Sequence, residues 1–230
     1  MSQAMPAFNE VWEDIYHEGR QLNRYPFDMV VSFVYRNLPR EKPRGEIRLV
    51  EVGCGAANNL WFAAREGFQV AGIDGSESAI EYARKRFEAD GLKGDLRVGD
   101  FTRLPWEAGH FDLAVDRGAL TNCGLTGCRQ AVTEVRRVLR VGGRFFFNPY
   151  SLMHSSHASG RPGPDGVTTD ISAGDLQGMG AICFYGRREV EAVLAEGWRI
   201  HTLAHVEWVD VVKPQYNVRA EWQVVAEKLG

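Results

Sequence analysis

The sequence lacks the features of an exported or membrane-embedded protein. Met1 to Glu10 has no basic start followed by an apolar core, and no apolar run reaches the roughly 18 residues of a membrane span. A CxxC pair is also missing, because the cysteines stand apart at Cys54, Cys123, Cys128 and Cys183. Without an export signal, such cysteines favour reduced thiols over a disulfide framework. We therefore expect no membrane partner and a cytoplasmic location.

An excess of positive charge is absent as well. The chain has 27 Lys and Arg against 30 Asp and Glu, which gives a formal net charge of −3. Binding to a phosphate backbone needs a positive field over a broad surface. The basic runs Arg84-Lys85-Arg86 and Arg136-Arg137 lie among apolar residues at helical spacing, as is typical of solvated helix faces. The charge balance therefore predicts a small-molecule partner and no nucleic acid.

What the chain does have is 230 residues with an apolar content of 44%, which is enough to build the core of one domain. Two apolar-periodic stretches, separated by Gly19 and Pro26, predict helices over 8–18 and 27–38. From residue 47 onward, short apolar runs alternate with helical patterns. The predicted strands are 47–52, 69–73, 96–98, 111–115, 144–147, 198–206 and 222–226. The predicted helices among them are 59–66, 77–89, 129–139 and 187–196.

This alternation predicts an α/β fold. We expect a doubly wound, mostly parallel seven-stranded sheet with helices on both faces. Residues 1–45 are interpreted as an N-terminal helical cap, and residues 46–147 as the core that binds a cofactor. Residues 148–186, rich in Gly, Ser, Pro and His over their first part, are too long for an ordinary connection and are interpreted as an inserted lid. Residues 187–230 supply a last helix and strands, with 207–220, including Pro214, expected to be a long connection over the same opening.

A glycine-containing turn follows the first predicted strand. Glu51, Gly53, Cys54 and Gly55 lead into a helix, and a dinucleotide-binding turn would need a third glycine where Asn58 stands. The two glycines let a ligand approach the backbone, and the helix start offers unpaired N–H groups. Glu51 would repel a pyrophosphate and attract a cation. The turn therefore predicts a ligand that carries positive charge.

Carboxylates also follow the next three strands, at the sheet edge where ligands of open parallel sheets bind. Asp74, followed by Gly75 and Ser76, stands about 20 residues after the glycines, where an acid binds both hydroxyls of a ribose. Asp100 and Phe101 are suited to hold an adenine amino group and to pack against its ring. Asp116 faces the expected reactive end of the ligand. A helix-capping role is the alternative for each acid, most evenly balanced at Asp116.

Together, these motifs resemble the S-adenosylmethionine-dependent methyltransferases of the Rossmann-like class, class I. The likeness extends over residues 47–147 and includes the Val-Leu-Arg-Val-Gly-Gly-Arg run before the fifth strand. It implies S-adenosyl-L-methionine as the cofactor and methyl transfer to a small polar molecule, by O- or N-methylation. The resemblance implies that the turn holds the methionine part, that Asp74 binds ribose and that Asp100 binds adenine. The implied cofactor residues are Glu51, Gly53, Cys54, Gly55, Asn58, Asp74, Gly75, Ser76, Asp100, Phe101 and Asp116.

Candidates for the acceptor site lie outside these motifs. His154 and His157 in the insert, with Tyr16 near the N-terminus, are predicted as the catalytic base. Four residues of the N-terminal segment and the insert predict a sugar or an anionic metabolite as the acceptor: Arg20, Arg24, Tyr25 and Arg161. No metal site is expected, because the His-x-x-His spacing has no acidic cluster beside it.

Some alternatives stay open at this level. Asn148-Pro149-Tyr150 is similar to a motif of amino-directed DNA methyltransferases, but it follows the wrong strand and lacks one proline. An NAD-dependent oxidoreductase on the same kind of sheet is one rival, and a catalytically silent S-adenosylmethionine-binding module is another. The oligomeric state is undetermined, with a homodimer among the options.

Overall fold

The computed structural model of the chain describes residues 8–212 and 217–230. Its central sheet has seven strands: β1 (Arg48–Val52), β2 (Gln69–Asp74), β3 (Asp95–Val98), β4 (Phe111–Asp116), β5 (Leu139–Phe147), β9 (Trp198–Asp210) and β10 (Asn217–Lys228). The helices are α1 (Val11–His17), α2 (Asp28–Arg36), α3 (Asn58–Arg65), α4 (Glu77–Ala89), α5 (Gly124–Val138), α6 (Ser155–Ala158) and α7 (Arg187–Val193). The remaining strands, β6 (Arg161–Pro162), β7 (Val167–Thr169) and β8 (Ile182–Cys183), form a separate sheet.

The strand order is β3-β2-β1-β4-β5-β10-β9. The first five strands are parallel to one another, whereas β10 is antiparallel to both β5 and β9. The order reverses between β1 and β4, so the carboxyl ends of these two strands open into a crevice. The prediction of a mostly parallel seven-stranded sheet is confirmed.

Alternate residues of the strands supply two apolar cores, one on each face of the sheet. Val50 and Val52 pack with residues of α5 and α7, whereas Leu49 packs with residues of α2, α3 and α4. Burial of both faces explains why the central strands are apolar almost throughout. The expectation of helices on both faces is therefore confirmed. Among the described residues, no helix is long and apolar enough to cross a membrane.

The insert of residues 148–186 has a small core of its own. Ile171, Leu176, Ile182 and Phe184 are buried together beside the three short strands β6, β7 and β8. Ser151 N donates to Ala220 O at 2.9 Å, which holds the start of the insert against β10. The insert is thus an ordered layer over the carboxyl edge of the sheet, and its movement as a lid stays a prediction.

The sequence interpretation of residues 207–220 as one long connection is wrong. Strand β9 continues to Asp210 and β10 begins at Asn217, because the two strands pair with each other over their whole length. Pro214 lies outside the described residues. The four cysteines are free and buried, as expected for reduced thiols.

Candidate active site

A cavity of about 1110 Å³, including the solvent at its opening, lies at the carboxyl ends of the parallel strands. Its walls combine the turns after β1 to β4 with the N-terminal segment, the insert and β10. The turns contribute Glu51, Gly53, Cys54, Gly55, Ala56, Asn58, Asn59, Asp74, Gly75, Phe101, Arg117, Gly118, Ala119 and Asn122. The other segments contribute Phe8, Asn9, Trp12, Tyr16, Gln21, Asn23, Phe27, Tyr150, Asp175, Leu176, Met179 and Arg219. Most of the predicted cofactor residues therefore surround one space.

The turn after β1 has the backbone shape that requires glycine. Gly53 and Gly55 have φ angles of 62° and 49°, in the left-handed region. A side chain at Gly53 would overlap Ala119 Cβ, and one at Gly55 would overlap the hydroxyl of Tyr16. The two glycines therefore allow the loop to lie directly beneath two neighbouring segments.

Glu51 places a carboxylate at the base of this turn. It is 2% exposed, and Oε1 accepts a hydrogen bond from Asn59 Nδ2 at 2.7 Å. Its other oxygen, Oε2, is buried and has no hydrogen-bond partner within the described residues. Burial, with the nearby Asp116 and Asp74 carboxylates, raises the pKa of Glu51 to about 8. A bound cation would satisfy this oxygen and favour the ionised form.

Asp74 connects the first two turns of the site. Its Oδ2 accepts from Gly55 N at 2.8 Å, and its Oδ1 accepts from Ser76 N at 2.9 Å. Burial raises the pKa of Asp74, although these backbone hydrogen bonds act in the opposite direction. Ser76 itself caps α4 by accepting from Ala79 N at 3.0 Å, and it does not line the cavity. Ser76 therefore has a structural role as a helix cap, which the sequence analysis did not predict for it.

The two remaining acids lie outside the cavity wall. Asp100 is exposed and accepts hydrogen bonds from Thr102 N and Oγ1 at 2.7 Å, while the neighbouring Phe101 does line the cavity. Asp116 is fully buried, and its Oδ1 accepts from Ala119 N at 2.9 Å and Leu120 N at 3.0 Å. Burial raises the pKa of Asp116 to about 6. Of its two alternatives, Asp116 thus fits the capping one.

Helix α1 covers the turn. Trp12 Nε1 donates to Asn122 Oδ1 at 3.1 Å, and the Tyr16 hydroxyl lies against Gly55. Burial, together with the charge of Asp74, raises the pKa of Tyr16 well above its usual value. A phenol in this state keeps its proton near neutral pH. The predicted role of Tyr16 as a base is therefore unfavourable, and it is suited instead to donate a hydrogen bond.

The structure places neither predicted histidine on the cavity wall. His154 is 1% exposed and caps α6, with Nδ1 accepting from Ser156 N at 3.1 Å. His157 Nδ1 lies 3.0 Å from Thr168 Oγ1. Both rings pack against Phe184, with centroid distances of 5.8 and 5.0 Å. The position expected from the sequence, at the active-site opening, is therefore wrong: the insert has a core, and the histidines contribute to it. Their role as catalytic bases stays an untested prediction that this position does not favour.

The predicted acceptor-binding residues also lie elsewhere. Arg20 is exposed and pairs with Glu18 at 2.7 Å. Arg24, Tyr25 and Arg161 are exposed, and none of them lines the cavity. In their place, the structure brings Arg117 and Arg219 to the wall. Arg117 directly follows the end of β4, so its position was readable from the sequence, whereas Arg219 fell within the stretch expected to be a connection.

Known proteins share parts of this sequence and this fold. Residues 49–143 match the family model described as a methyltransferase domain. The whole fold is similar to a structure from work on the conversion of a disulfide bond into a thioacetal group during echinomycin biosynthesis. That chain is 22% identical, with a TM-score of 0.70 and coverage of 96% of this chain and 93% of the other. Residues 49–143 are a methyltransferase domain with the class I fold.

Two further proteins are similar to this chain, one in sequence and one in structure. A putative methyltransferase of Geobacillus sp. is 27% identical over 62% of this chain and 58% of its own length. The chain spans about half the length of the curated relatives it matches. A Burkholderia thailandensis 1,6-didemethyltoxoflavin-N1-methyltransferase, solved with 1,6-didemethyltoxoflavin and S-adenosylhomocysteine, is 16% identical with a TM-score of 0.68. It aligns over 94% of this chain and 85% of its own.

Proposed function

We propose that this protein is an S-adenosylmethionine-dependent methyltransferase that acts on a small polar molecule. The observation that carries the proposal is Glu51, a buried carboxylate with one unpartnered oxygen, on the wall of the cavity beside the Gly53–Gly55 turn. A buried acceptor without a partner is costly unless a ligand supplies the donor. The ammonium and sulfonium groups of S-adenosylmethionine supply the positive charge.

The other lining residues fit the rest of that ligand. The turn from Gly53 to Gly55, with Cys54, offers close backbone approach for the methionine part. Asp74, beside Gly75, places a carboxylate on the cavity wall, where it can bind the ribose hydroxyls. Phe101 provides an apolar surface for adenine, and Asp100 beside it is proposed to hold the adenine amino group. Asn58 acts as a support, because its Nδ2 donates to Tyr25 O at 2.8 Å.

The chain's part in the reaction is to position and to shield. Bound S-adenosylmethionine supplies an electrophilic methyl group for an in-line displacement. Helix α1 and the insert cover the cavity with Trp12, Leu176 and Met179, which keeps bulk water from the reacting atoms. Tyr150 and Asn122 offer polar contacts that orient the acceptor. Among the wall residues that the structure describes, carboxylates and no histidine are available to accept a proton from the methyl acceptor.

The proposal includes the partner and the location. A net charge of −3 supports a small-molecule acceptor over nucleic acid. The four free cysteines support a cytoplasmic location.

Calorimetry with S-adenosylhomocysteine tests the proposed cofactor site. Asp74→Asn should weaken binding by about 1 to 3 kcal/mol, because ribose hydroxyls lose a charged acceptor. Glu88→Gln, which changes an exposed acid on α4, is the matched control and should bind like the unmodified protein. Equal binding by Asp74→Asn would contradict the assignment.

The rival functions predict different measurements. At about a hundred times its dissociation constant, the true cofactor should raise the stability by about 2.7 kcal/mol. Stabilisation by NAD and not by S-adenosylhomocysteine would replace the proposal with an oxidoreductase. Binding of S-adenosylmethionine without turnover to S-adenosylhomocysteine, in the presence of a metabolite extract, would indicate a silent binding module.

A further inference from the structure

The cavity has walls of opposite charge. Glu51 and Asp74 lie on the wall formed by the turns after β1 and β2, where the proposed cofactor fits. Arg117 and Arg219 lie on the remainder of the wall, together with Tyr150 and Asn122. A cationic cofactor explains the acidic part of the wall, and the only anionic group that it could offer to an arginine is the carboxylate of its methionine end.

Arg117 is a buried cation with unused donors. Its side chain is 9% exposed, and its Cζ lies 4.2 Å from the ring centroid of Phe27. The nearest carboxylate, Glu221 Oε2, is 3.9 Å from Nη2, which is beyond hydrogen-bond distance. Its Nε is buried and has no acceptor within the described residues. A guanidinium held in this way favours an oxyanion ligand, which it can bind through two parallel hydrogen bonds.

Within the described residues, no carboxylate forms a hydrogen bond with the side chain of Arg117 or Arg219, although the charge of Arg117 also acts on buried Glu51 and Asp116. Glu221 Oε1 accepts from Gln223 Nε2 at 3.1 Å, which holds Glu221 along β10. Asp175, exposed at the cavity, accepts from Asn217 Nδ2 at 2.8 Å. Both acids are thus engaged by amide groups. They reduce the positive charge of this wall but leave the Arg117 donors free for a ligand.

Arg219 lies on the same face of β10 as Glu221, because side chains alternate along a strand. It is exposed at the cavity, and its side chain makes no hydrogen bond or ion pair within residues 8–212 and 217–230, although its charge acts on His154. A flexible, free guanidinium at the opening is suited to a second contact with the same anion. Arg117 would bind at the base and Arg219 at the entrance.

We propose that the methyl acceptor carries a carboxylate or phosphate group, which binds to Arg117 and is approached by Arg219. This inference rests on the proposed function, because the arginines lie in the acceptor half of the cofactor cavity. The anionic group fixes the orientation of the acceptor, and a different atom of the acceptor receives the methyl group.

Calorimetric titration of the protein saturated with S-adenosylhomocysteine tests the inference. Sodium benzoate and inorganic phosphate serve as separate probes at constant ionic strength, so that the two arms distinguish a carboxylate from a phosphate. At least one probe should bind. Arg117→Gln should weaken that binding by about tenfold or more, and Arg219→Gln by about threefold. Arg161→Gln, an exposed arginine of the insert outside the cavity, should change nothing.

The outcomes separate the two proposals. Affinity for S-adenosylhomocysteine should be retained in all three variants, which also shows that Arg117→Gln has folded. A loss of this affinity in a folded Arg117→Gln would assign Arg117 to the carboxylate of the cofactor and overturn the inference. If the cofactor binds and neither probe does, or if Arg117→Gln and Arg219→Gln both bind the probe normally, the anionic acceptor is overturned and the methyltransferase assignment stands. If Arg117→Gln does not fold, Arg219→Gln alone decides. Failure of the unmodified protein to bind S-adenosylhomocysteine would overturn both.

Discussion

The acidic and the basic parts of the cavity wall are built in different ways. Glu51 and Asp74 come from two consecutive strand-turn units, and backbone N–H groups or a neighbouring amide hold them in place. Arg117 and Arg219 come from β4 and β10, which lie far apart in the chain and on opposite sides of β5 in the sheet. The acidic part is therefore a local product of the parallel sheet, whereas the basic part exists only after β10 has joined the sheet.

The two parts also differ in what their burial costs. Glu51 is almost fully buried beside two other carboxylates, so its ionisation is suppressed. Arg117 stacks on Phe27 and has Glu221 nearby, so its charge is partly compensated without a ligand. The acidic part thus carries stored electrostatic strain that a cation relieves. The basic part offers unused hydrogen-bond donors in place of strain.

The largest effect is expected for Glu51→Gln, which removes the buried carboxylate and with it the electrostatic strain. In the unfolded chain this carboxyl group ionises near 4.5, whereas burial raises its folded pKa to about 8. Its contribution to stability is therefore complete below pH 4.5 and is lost as the pH rises toward 8. In ligand-free protein, the stability of Glu51→Gln relative to the unmodified chain should therefore rise by about 3 to 5 kcal/mol between pH 4.5 and pH 8.

Urea denaturation at pH 4.5 and pH 8 measures this change in the free energy of unfolding. Glu88→Gln is the control, because it removes an exposed acid of the same type. A Glu51→Gln variant whose stability relative to the unmodified protein is the same at both pH values would show that Glu51 is not strained, and the contrast with Arg117 would disappear.

A smaller effect is expected at Gly55, where α1 contacts the acidic part. Gly55→Ala places a methyl group at a φ of 49° and against the Tyr16 hydroxyl, and should cost about 2 to 3 kcal/mol of stability. Gly91→Ala has a similar φ of 64° with open space around the new atom, and should cost about 1 kcal/mol. Thermal unfolding of both variants separates contact from backbone strain.

The double variant Gly55→Ala, Tyr16→Phe completes this measurement. Removing the hydroxyl should recover part of the loss, because the next ring atom, Cζ, lies 3.1 Å from the added carbon. Equal losses in Gly55→Ala and Gly91→Ala would mean that α1 does not press on the turn.

The smallest effect is expected at Asp100. This measurement tests whether Asp100 belongs to the acidic part of the cavity wall. Asp100→Asn should weaken S-adenosylhomocysteine binding by about 0.5 to 1 kcal/mol, because Asp100 is exposed and Asn keeps an acceptor for Thr102. The inosine analogue, which lacks the adenine amino group, should bind both proteins more equally. Calorimetry with the two ligands measures this preference, with exposed Asp170→Asn as the control. A preference for the adenosine ligand that survives in Asp100→Asn would remove Asp100 from the site.

The predictability of the site follows the same division. Residues at the carboxyl end of a parallel strand, such as Glu51 and Asp74, could be placed on the cavity wall from the sequence. The reason is that the carboxyl ends of parallel strands meet at one edge of the sheet. The strand and helix order was readable for a related reason, since apolar periodicity reflects burial on both faces of the sheet. Boundaries shifted by a few residues, as in α5, which begins at Gly124 and was predicted from Arg129.

The residues predicted for the acceptor lie away from the cavity wall, because the geometry of its basic part is non-local. The histidines of the insert were selected because they stand in a segment rich in Gly and Ser. His154 and His157 instead pack on Phe184, in a small core that the apolar pattern of the sequence did not predict. Arg219 was missed because the pairing of β9 with β10 extends past the apolar part of both strands. Arg20 and Arg161 were chosen by residue type alone, and type does not determine which way a surface side chain points.

Helix α1 is anchored to both parts of the cavity. At one end Glu13 Oε2 accepts from Ser76 Oγ at 2.6 Å at the start of α4, and next to it Trp12 is bonded to Asn122 beyond β4. A helix of seven residues therefore ties the start of α4 to the segment that follows β4. Because both contacts come from neighbouring residues of this one helix, its loss would remove them together.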